Sequence, residues 1–332
     1  MNYLAASFSA LSHPFSPKQK FSALAAVLVV GLTLIIQPPV WAQAETEPGP
    51  DDTALAKVNR VYLAYKPVVE RRVQVATWDG SFWSASEPVA DALTDVAPDV
   101  TPLGDRLYLA YKGTNSDQIF FRYKEGVFWY PEQPISDAAT SDSPALVVFR
   151  KTLMVFYKGQ TSTNVYYRTF DGTNWSGENR VPDAGSLAAP SVTICNNILY
   201  LAHRGVSSGR IFFRSFNGTT WTEETEVPEA RTDSSPTLGC YKRKVFLAYK
   251  GDSSSRLYWK RLDGSQWTSE AVISDGNSSD GPCLFRLGKD LYITYKGDSS
   301  YRAYIRRFDG TNWGVENLIP GIDTEDTPSV SN

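Results

Sequence analysis

Residues 62–66 read Tyr-Leu-Ala-Tyr-Lys, and residues 108–112 read Tyr-Leu-Ala-Tyr-Lys again. The phrase returns as Met154-Val155-Phe156-Tyr157-Lys158, Tyr200-Leu201-Ala202-His203-Arg204, Phe246-Leu247-Ala248-Tyr249-Lys250 and Tyr292-Ile293-Thr294-Tyr295-Lys296, each step being 46 residues. Working outward, the same step carries Gly80 to Gly126, Gly172, Gly218, Gly264 and Gly310. It carries Trp83 to Trp129, Trp175, Trp221, Trp267 and Trp313, and Pro98 to Pro144, Pro190, Pro236, Pro282 and Pro328. Six copies of 46 residues run from Asp52 to Thr327 without an insertion or deletion. Self-similarity at a fixed period of roughly 20–50 residues marks a repeat architecture, in which each unit buries its apolar face against the next.

Within a copy the pattern is that of short strands. The fifth copy predicts strands over Thr237–Tyr241, Val245–Lys250, Arg256–Arg261 and Trp267–Ile273, rich in β-branched and aromatic residues and separated by turn signals. Asp79-Gly80, Asp171-Gly172, Asn217-Gly218, Asp263-Gly264 and Asp309-Gly310 mark the hairpin between the third and fourth strands, because Asn and Gly accept positive φ. Each Pro of the proline column stands at the start of a first strand, where a missing N–H costs least. The fold class that follows is all-β, a six-bladed β-propeller built from six 46-residue four-stranded repeats. An open stack would need capping units, and the sequence has none. Asp326-Thr327-Pro328-Ser329-Val330 restarts the unit after the sixth copy, so the C-terminal strand is expected to complete blade 1. Thr53–Lys57 competes for the same place.

Ahead of the repeats, residues 1–44 hold Lys18, Lys20, no acid, an apolar run from Phe21 to Ile36 and Ala42-Gln43-Ala44. This reads as a signal peptide cleaved after Ala44. The alternative is an uncleaved anchor, although a run of 16 residues is short for a bilayer span. The expected organisation is a signal over 1–44, a polar linker over 45–52 and the propeller over 53–332. The mature chain would be secreted or periplasmic, without a membrane span. Losing Lys18 and Lys20 takes the formal charge from −3 to −5.

Composition narrows the chemistry. The chain of 332 residues has 42% apolar content, with 18 Tyr, 16 Phe and 9 Trp, enough to fill a core and exclude general disorder. Its 33 basic and 36 acidic residues give no pull toward nucleic acid. His13 and His203 are the only histidines, so a multi-histidine metal site cannot be built. No metal and no cofactor is expected. His203 replaces the Tyr of the sister copies and reads as an aromatic exchange. Cys195, Cys240 and Cys283 are spaced by 45 and 43, off the repeat register, and read as buried free thiols.

Two basic columns are the candidate site residues. One ends the second strand at Lys66, Lys112, Lys158, Arg204, Lys250 and Lys296, and Gly follows it in five copies with Pro67 in the first. The other lies in the third strand at Arg122, Arg168, Arg214, Lys260 and Arg306, with Ala76 in the first copy. Glu132, Glu178, Glu224, Glu270 and Glu316 stand three residues after each Trp, with Ser86 in the first copy. Such charged groups beside aromatics suit sugar hydroxyls, and equally suit ion pairs between blades. The Trp column suits packing better than sugar stacking, while Trp78 and Trp259 break its pattern and are the better ligand candidates. The loops that follow the second and fourth strands share one face and form the expected binding rim.

The run from Arg204-Gly205-Val206-Ser207-Ser208 to Ile211-Phe212-Phe213-Arg214 and Asn217-Gly218-Thr219-Thr220-Trp221 resembles the repeat of the bacterial fucose-binding propeller lectins. It resembles more loosely the fungal fucose-specific lectins of the same superfamily. The resemblance covers nearly all of Asp52–Asn332 and implies the blade, but carries no fucose-binding residue over, since Phe120 and Phe121 stand where a Glu would be. Six copies of equal length favour several equivalent weak sites over one catalytic centre. The expected function is a secreted multivalent carbohydrate-binding, lectin-like propeller without catalysis, its partners glycans or a cell-surface protein. An extracytoplasmic protein-binding scaffold and a sialidase-like glycoside hydrolase are the alternatives.

Overall fold

A computed structural model describes residues 60–332. The expected signal, its cleavage site, the linker and Thr53–Lys57 lie outside the described residues. The rest is a ring of six antiparallel sheets and no helix, which is the six-bladed β-propeller that the period implied.

Blades 2 to 6 open at Asp99–Leu103, Ala145–Phe149, Ser191–Cys195, Thr237–Tyr241 and Cys283–Leu287. Blade 1 takes its first strand from the other end of the chain. Ser329–Ser331 pairs antiparallel with Val61–Tyr65, as Leu63 against Val330. The C-terminal strand therefore completes blade 1, as the restart at Asp326-Thr327-Pro328 implied. Further contacts hold it to blade 2: the Ser329 hydroxyl donates to the Asp99 carboxylate, and the Ser331 and Thr101 hydroxyls lie 3.2 Å apart.

The fourth strands are Glu87–Leu93, Gln133–Ala139, Asn179–Gly185, Thr225–Arg231, Ala271–Asn277 and Asn317–Asp323. They begin later than the sequence implied, because each Trp pairs with the third strand separately, as the two-residue strands Phe128–Trp129 and Gln266–Trp267 or as a single bridge in the other four blades. Each carries a bulge at one repeated position, where Asp91, Asp137, Asp183, Glu229, Asp275 and Gly321 all have positive φ. Asp and Gly tolerate that geometry best, and it turns one carbonyl out of the ladder.

The core is divided among the six seams between blades. Five seams share a plug, a bulky apolar residue near the end of the third strand. Phe170 packs on Tyr108 and Phe121, Phe216 on Phe149 and Tyr167, Phe308 on Phe246 and Trp259, and Trp78 on Phe285 and Tyr292. Leu262 fills the same place between blades 4 and 5. The Trp column packs beside the plugs, as Trp175 does on Phe121 at 5.3 Å. Trp78 and Trp259, singled out as ligand candidates, are also seam residues: Trp78 is buried against Phe285, and Trp259 stacks between Phe246 and Phe308.

One expectation is overturned. Cys195 and Cys240 form a disulfide between the first strands of blades 4 and 5. Contacts between adjacent first strands are offset from the repeat: Leu238 N–H donates to Ser191 Oγ, and Leu284 N–H to Thr237 Oγ1, both 47 residues apart. A spacing of 45 is therefore compatible with facing positions, and missing the 46-residue register did not argue against pairing. Cys283 stays free, its thiol pushed up to about 12 by burial.

Candidate functional site

The third-strand column is buried and bonded internally. Arg122 donates to the Ala90 carbonyl, Arg214 to Pro182, Lys260 to Pro228 at 2.7 Å and Arg306 to Ser274 at 2.7 Å. Each acceptor immediately precedes the bulge residue of the neighbouring blade, so the bulge presents the carbonyl that the next blade's cation takes. Arg168 instead donates to the Ser176 carbonyl and the Tyr157 hydroxyl. All five side chains are at most about 5% exposed.

Above each cation sits the acidic column. Tyr111, Tyr157, Tyr249 and Tyr295 donate their hydroxyls to Glu132, Glu178, Glu270 and Glu316, and His203 Nε2 lies 2.7 Å from Glu224. Burial, then the adjacent carboxylate, pushes the pKa of Tyr111, Tyr249 and Tyr295 above the usual phenol range. These phenols remain donors at neutral pH, and His203 does their work, which explains the exchange. Blade 1 has Ala76, and its Tyr65 donates to Ser86. Sequence reading found the columns but not that they form one unit.

The second-strand column faces the expected rim. Lys66 pairs with Glu325 and Asp326, Lys112 with Asp117 at 3.5 Å, and Lys250 with Asp233 at 2.5 Å. Lys158 and Lys296 donate to Ser141 and Ser279, and Arg204 to the Asp233 carbonyl. The following Gly has a packing reason. A Cβ on Gly113, Gly159, Gly205, Gly251 or Gly297 would lie 2.4–2.9 Å from ring carbons of Phe120, Tyr166, Phe212, Tyr258 or Tyr304. Blade 1, with Gln74 in place of the ring, carries Pro67 there instead.

The seam between blades 1 and 2 departs from the others. Lys124 stands at the plug position, and Val75 stands where blades 2 to 5 place Phe121, Tyr167, Phe213 and Trp259. The space is not refilled: a cavity of about 580 Å³ opens there, within the range of small-ligand sites. Its lining includes Arg60, Tyr62, Thr77, Ser84, Glu87, Asp105, Arg106 and Lys124. Lys124 Nζ lies 2.5 Å from Glu87 of blade 1 and 5.9 Å from the Trp129 ring centroid. Arg106 donates to Glu125 at 2.8 Å and lies over Tyr123, which stacks on Tyr130 at 4.3 Å. Arg60 and Arg106 begin second strands, whereas Lys66 and Lys112 end them. The cavity therefore opens on the face opposite the expected rim. Its sequence signal was present in the plug column, as one cation among Trp78, Phe170, Phe216, Leu262 and Phe308.

A second cavity, of about 570 Å³, is the central channel, lined by first strands with Asp142, Asp280 and Asp326 at one end. Asp99 holds the Leu146 N–H at 2.6 Å as well as the Ser329 hydroxyl, and burial lifts its carboxyl to about 6. Among the described residues no cluster of His, Cys, Asp and Glu has metal-binding geometry.

No protein-family model matches the sequence, and no curated protein matches it. Solved structures do. The fucose-specific lectin from Aleuria aurantia is similar at a TM-score of 0.59 and 10% identity, over 79% of this chain and 91% of that one. SapL1 lectin, in complex with alpha methyl fucoside, is similar at 0.57 and 13% identity, over 78% and 92%. NanB sialidase from Streptococcus pneumoniae is similar at 0.56 and 9% identity, over 73% of this chain and 64% of that one. At these identities the likeness is one of fold, and the chain is a six-bladed propeller of the shape shared by fucose-binding lectins and sialidases.

Proposed function

We propose that this protein is an exported carbohydrate-binding propeller that acts without catalysis, with its principal saccharide pocket between blades 1 and 2. The observation that carries this reading is the missing plug. Five seams spend a bulky apolar residue on packing, and the remaining one leaves a lined cavity of ligand size. Paired charges, hydroxyls and a tyrosine around an apolar floor suit sugar hydroxyls and a sugar's apolar face. The rim tips of Lys112, Lys158, Arg204, Lys250 and Lys296 would add weaker repeated contacts. The buried column Arg122, Arg168, Arg214, Lys260 and Arg306 would act on a ligand only through the Glu residues beside it.

Export is supported by the signal-like residues 1–44 and by the Cys195–Cys240 disulfide, a bond favoured in oxidising compartments. The glycan-array experiment is direct: the purified chain should bind selected saccharides, and Lys124→Phe should lose the strongest signals. If no glycan is retained above a heat-denatured control, the reading fails.

A further inference from the structure

We infer that the pocket between blades 1 and 2 selects an acidic oligosaccharide, one sugar of which carries a carboxylate or sulfate. This rests on the saccharide reading above and specifies its substrate class.

The first observation is the charge of the lining. Three cations, Arg60, Arg106 and Lys124, meet two carboxylates, Glu87 and Asp105, in a chain whose formal charge is −3. Glu87 is already engaged by Lys124, and Glu125, outside the lining, accepts from Arg106. Arg60 makes no direct ion pair among the described residues; it acts only through space on Asp79, whose carboxyl the Phe82 and Ser81 N–H groups first hold low. After these pairs are formed, Arg60 and Asp105 remain, and five-donor Arg60 with the remaining N–H groups of Arg106 and Lys124 still leaves hydrogen-bond donors in surplus. An anion with several acceptor oxygens uses such donors best, and charge-assisted bonds are the stronger ones.

The second observation is where these cations occur. At the plug position every other blade is apolar, so Lys124 exchanges packing for charge in the one seam that is open. At the position of Arg60 and Arg106, blades 3, 4 and 6 have Thr152, Ile198 and Asp290, and the Lys244 of blade 5 is tied to Asp263 at 2.6 Å. The stacked series Arg106, Tyr123, Tyr130 holds one cation in a fixed orientation, which lowers the ordering cost of a bidentate contact.

The third observation extends the site beyond one sugar. Phe82 and Phe128 are 77% and 74% exposed at the turns of blades 1 and 2. Each lies two residues from a lining residue, Ser84 or Gly126. Blades 3 to 6 carry Asn174, Thr220, Gln266 and Asn312 at that position. Exposed rings beside a polar pocket offer stacking faces to neighbouring sugars.

The test is calorimetric titration of the purified chain with trigalacturonic acid, its neutral methyl ester and a sulfated tetrasaccharide. The acid should bind about tenfold or more tightly than the ester, with the difference shrinking in high salt. Arg60→Ala and Lys124→Phe should each weaken the acid by about tenfold, with unchanged circular dichroism. A preference for the sulfated probe would assign the anion as sulfate, and a preference for the acid as carboxylate. Equal binding of acid and ester overturns the acidic assignment while leaving a saccharide pocket. Acid binding untouched by both variants overturns the assignment to this seam. Failure of all three probes, together with an empty glycan array, overturns the saccharide reading itself.

Discussion

Lys124 and Phe170 hold the same place in successive blades, yet Phe170 fills its seam and Lys124 leaves its own open. The repeat thereby supplies its own control. Lys124→Phe restores the sister residue, and burying that ring should raise stability by about 1–3 kcal/mol. Glu87 is half exposed, so losing its cation costs little. Denaturant midpoints of the two proteins check this.

The Arg306 clamp predicts the opposite sign. Arg306→Met leaves the Ser274 carbonyl without its donor, while Glu316, about a third exposed, keeps the Tyr295 hydroxyl. The expected loss is about 1–3 kcal/mol, seen as a lower denaturant midpoint. Tyr295→Phe, which removes one hydroxyl from the same unit, should cost about 1–3 kcal/mol.

Gly205 and Phe212 should behave as a coupled pair. Gly205→Ala forces a Cβ to 2.4 Å from the Phe212 ring, and overpacking of this kind costs about 1–3 kcal/mol. Gly205→Ala with Phe212→Gln, which imitates Pro67 and Gln74 of blade 1, should recover part of that loss. A double-mutant cycle on melting temperatures reads the coupling.

Removing the Cys195–Cys240 bond as the double Ser variant should cost about 4 kcal/mol on loop-closure grounds for a separation of 45 residues. The same fall should follow from reductant acting on the native chain, and no further fall should follow in the Ser variant.

Asp99 gives the pH prediction. Its folded carboxyl titrates at about 6, above the ordinary value near 4, because of burial. Between those values the folded chain keeps a proton that the unfolded chain releases, so this group's contribution is greatest at low pH and is lost as pH rises through about 6. Asp99→Asn removes that dependence. Melting curves should show the variant gaining on the native protein from pH 4 to pH 7.

The blades were legible because the columns record what every copy needs: Pro at the inner strand, Gly under a ring, Trp at a seam. What escaped was contact between copies. The disulfide was misread because facing inner strands meet at offsets of 45 to 47 residues, a geometry that no column displays. The Arg–carbonyl clamp depends on the bulge at Asp91 and its counterparts, whose Asp column was visible but whose positive φ was not. The open seam was written in two columns, at Val75 and Lys124. Its consequence needs three dimensions, because the two residues come from different blades. At the rim, the cations that the columns display are tied to loop groups, as Lys250 is to Asp233, and that engagement is again a contact no column shows.

The pairing of Ser329–Ser331 with Val61–Tyr65 has a consequence for biosynthesis. A chain made from its N-terminus presents blade 1 with an unpaired inner edge until the last of the described strands emerges. Blades 2 to 6 can form as they are completed, but the circle cannot lock before then. If the chain crosses a membrane as a thread, closure must happen on the far side. A chaperone that shields the waiting edge of Val61–Tyr65 would then decide how many molecules close on themselves and how many pair with a neighbour's tail.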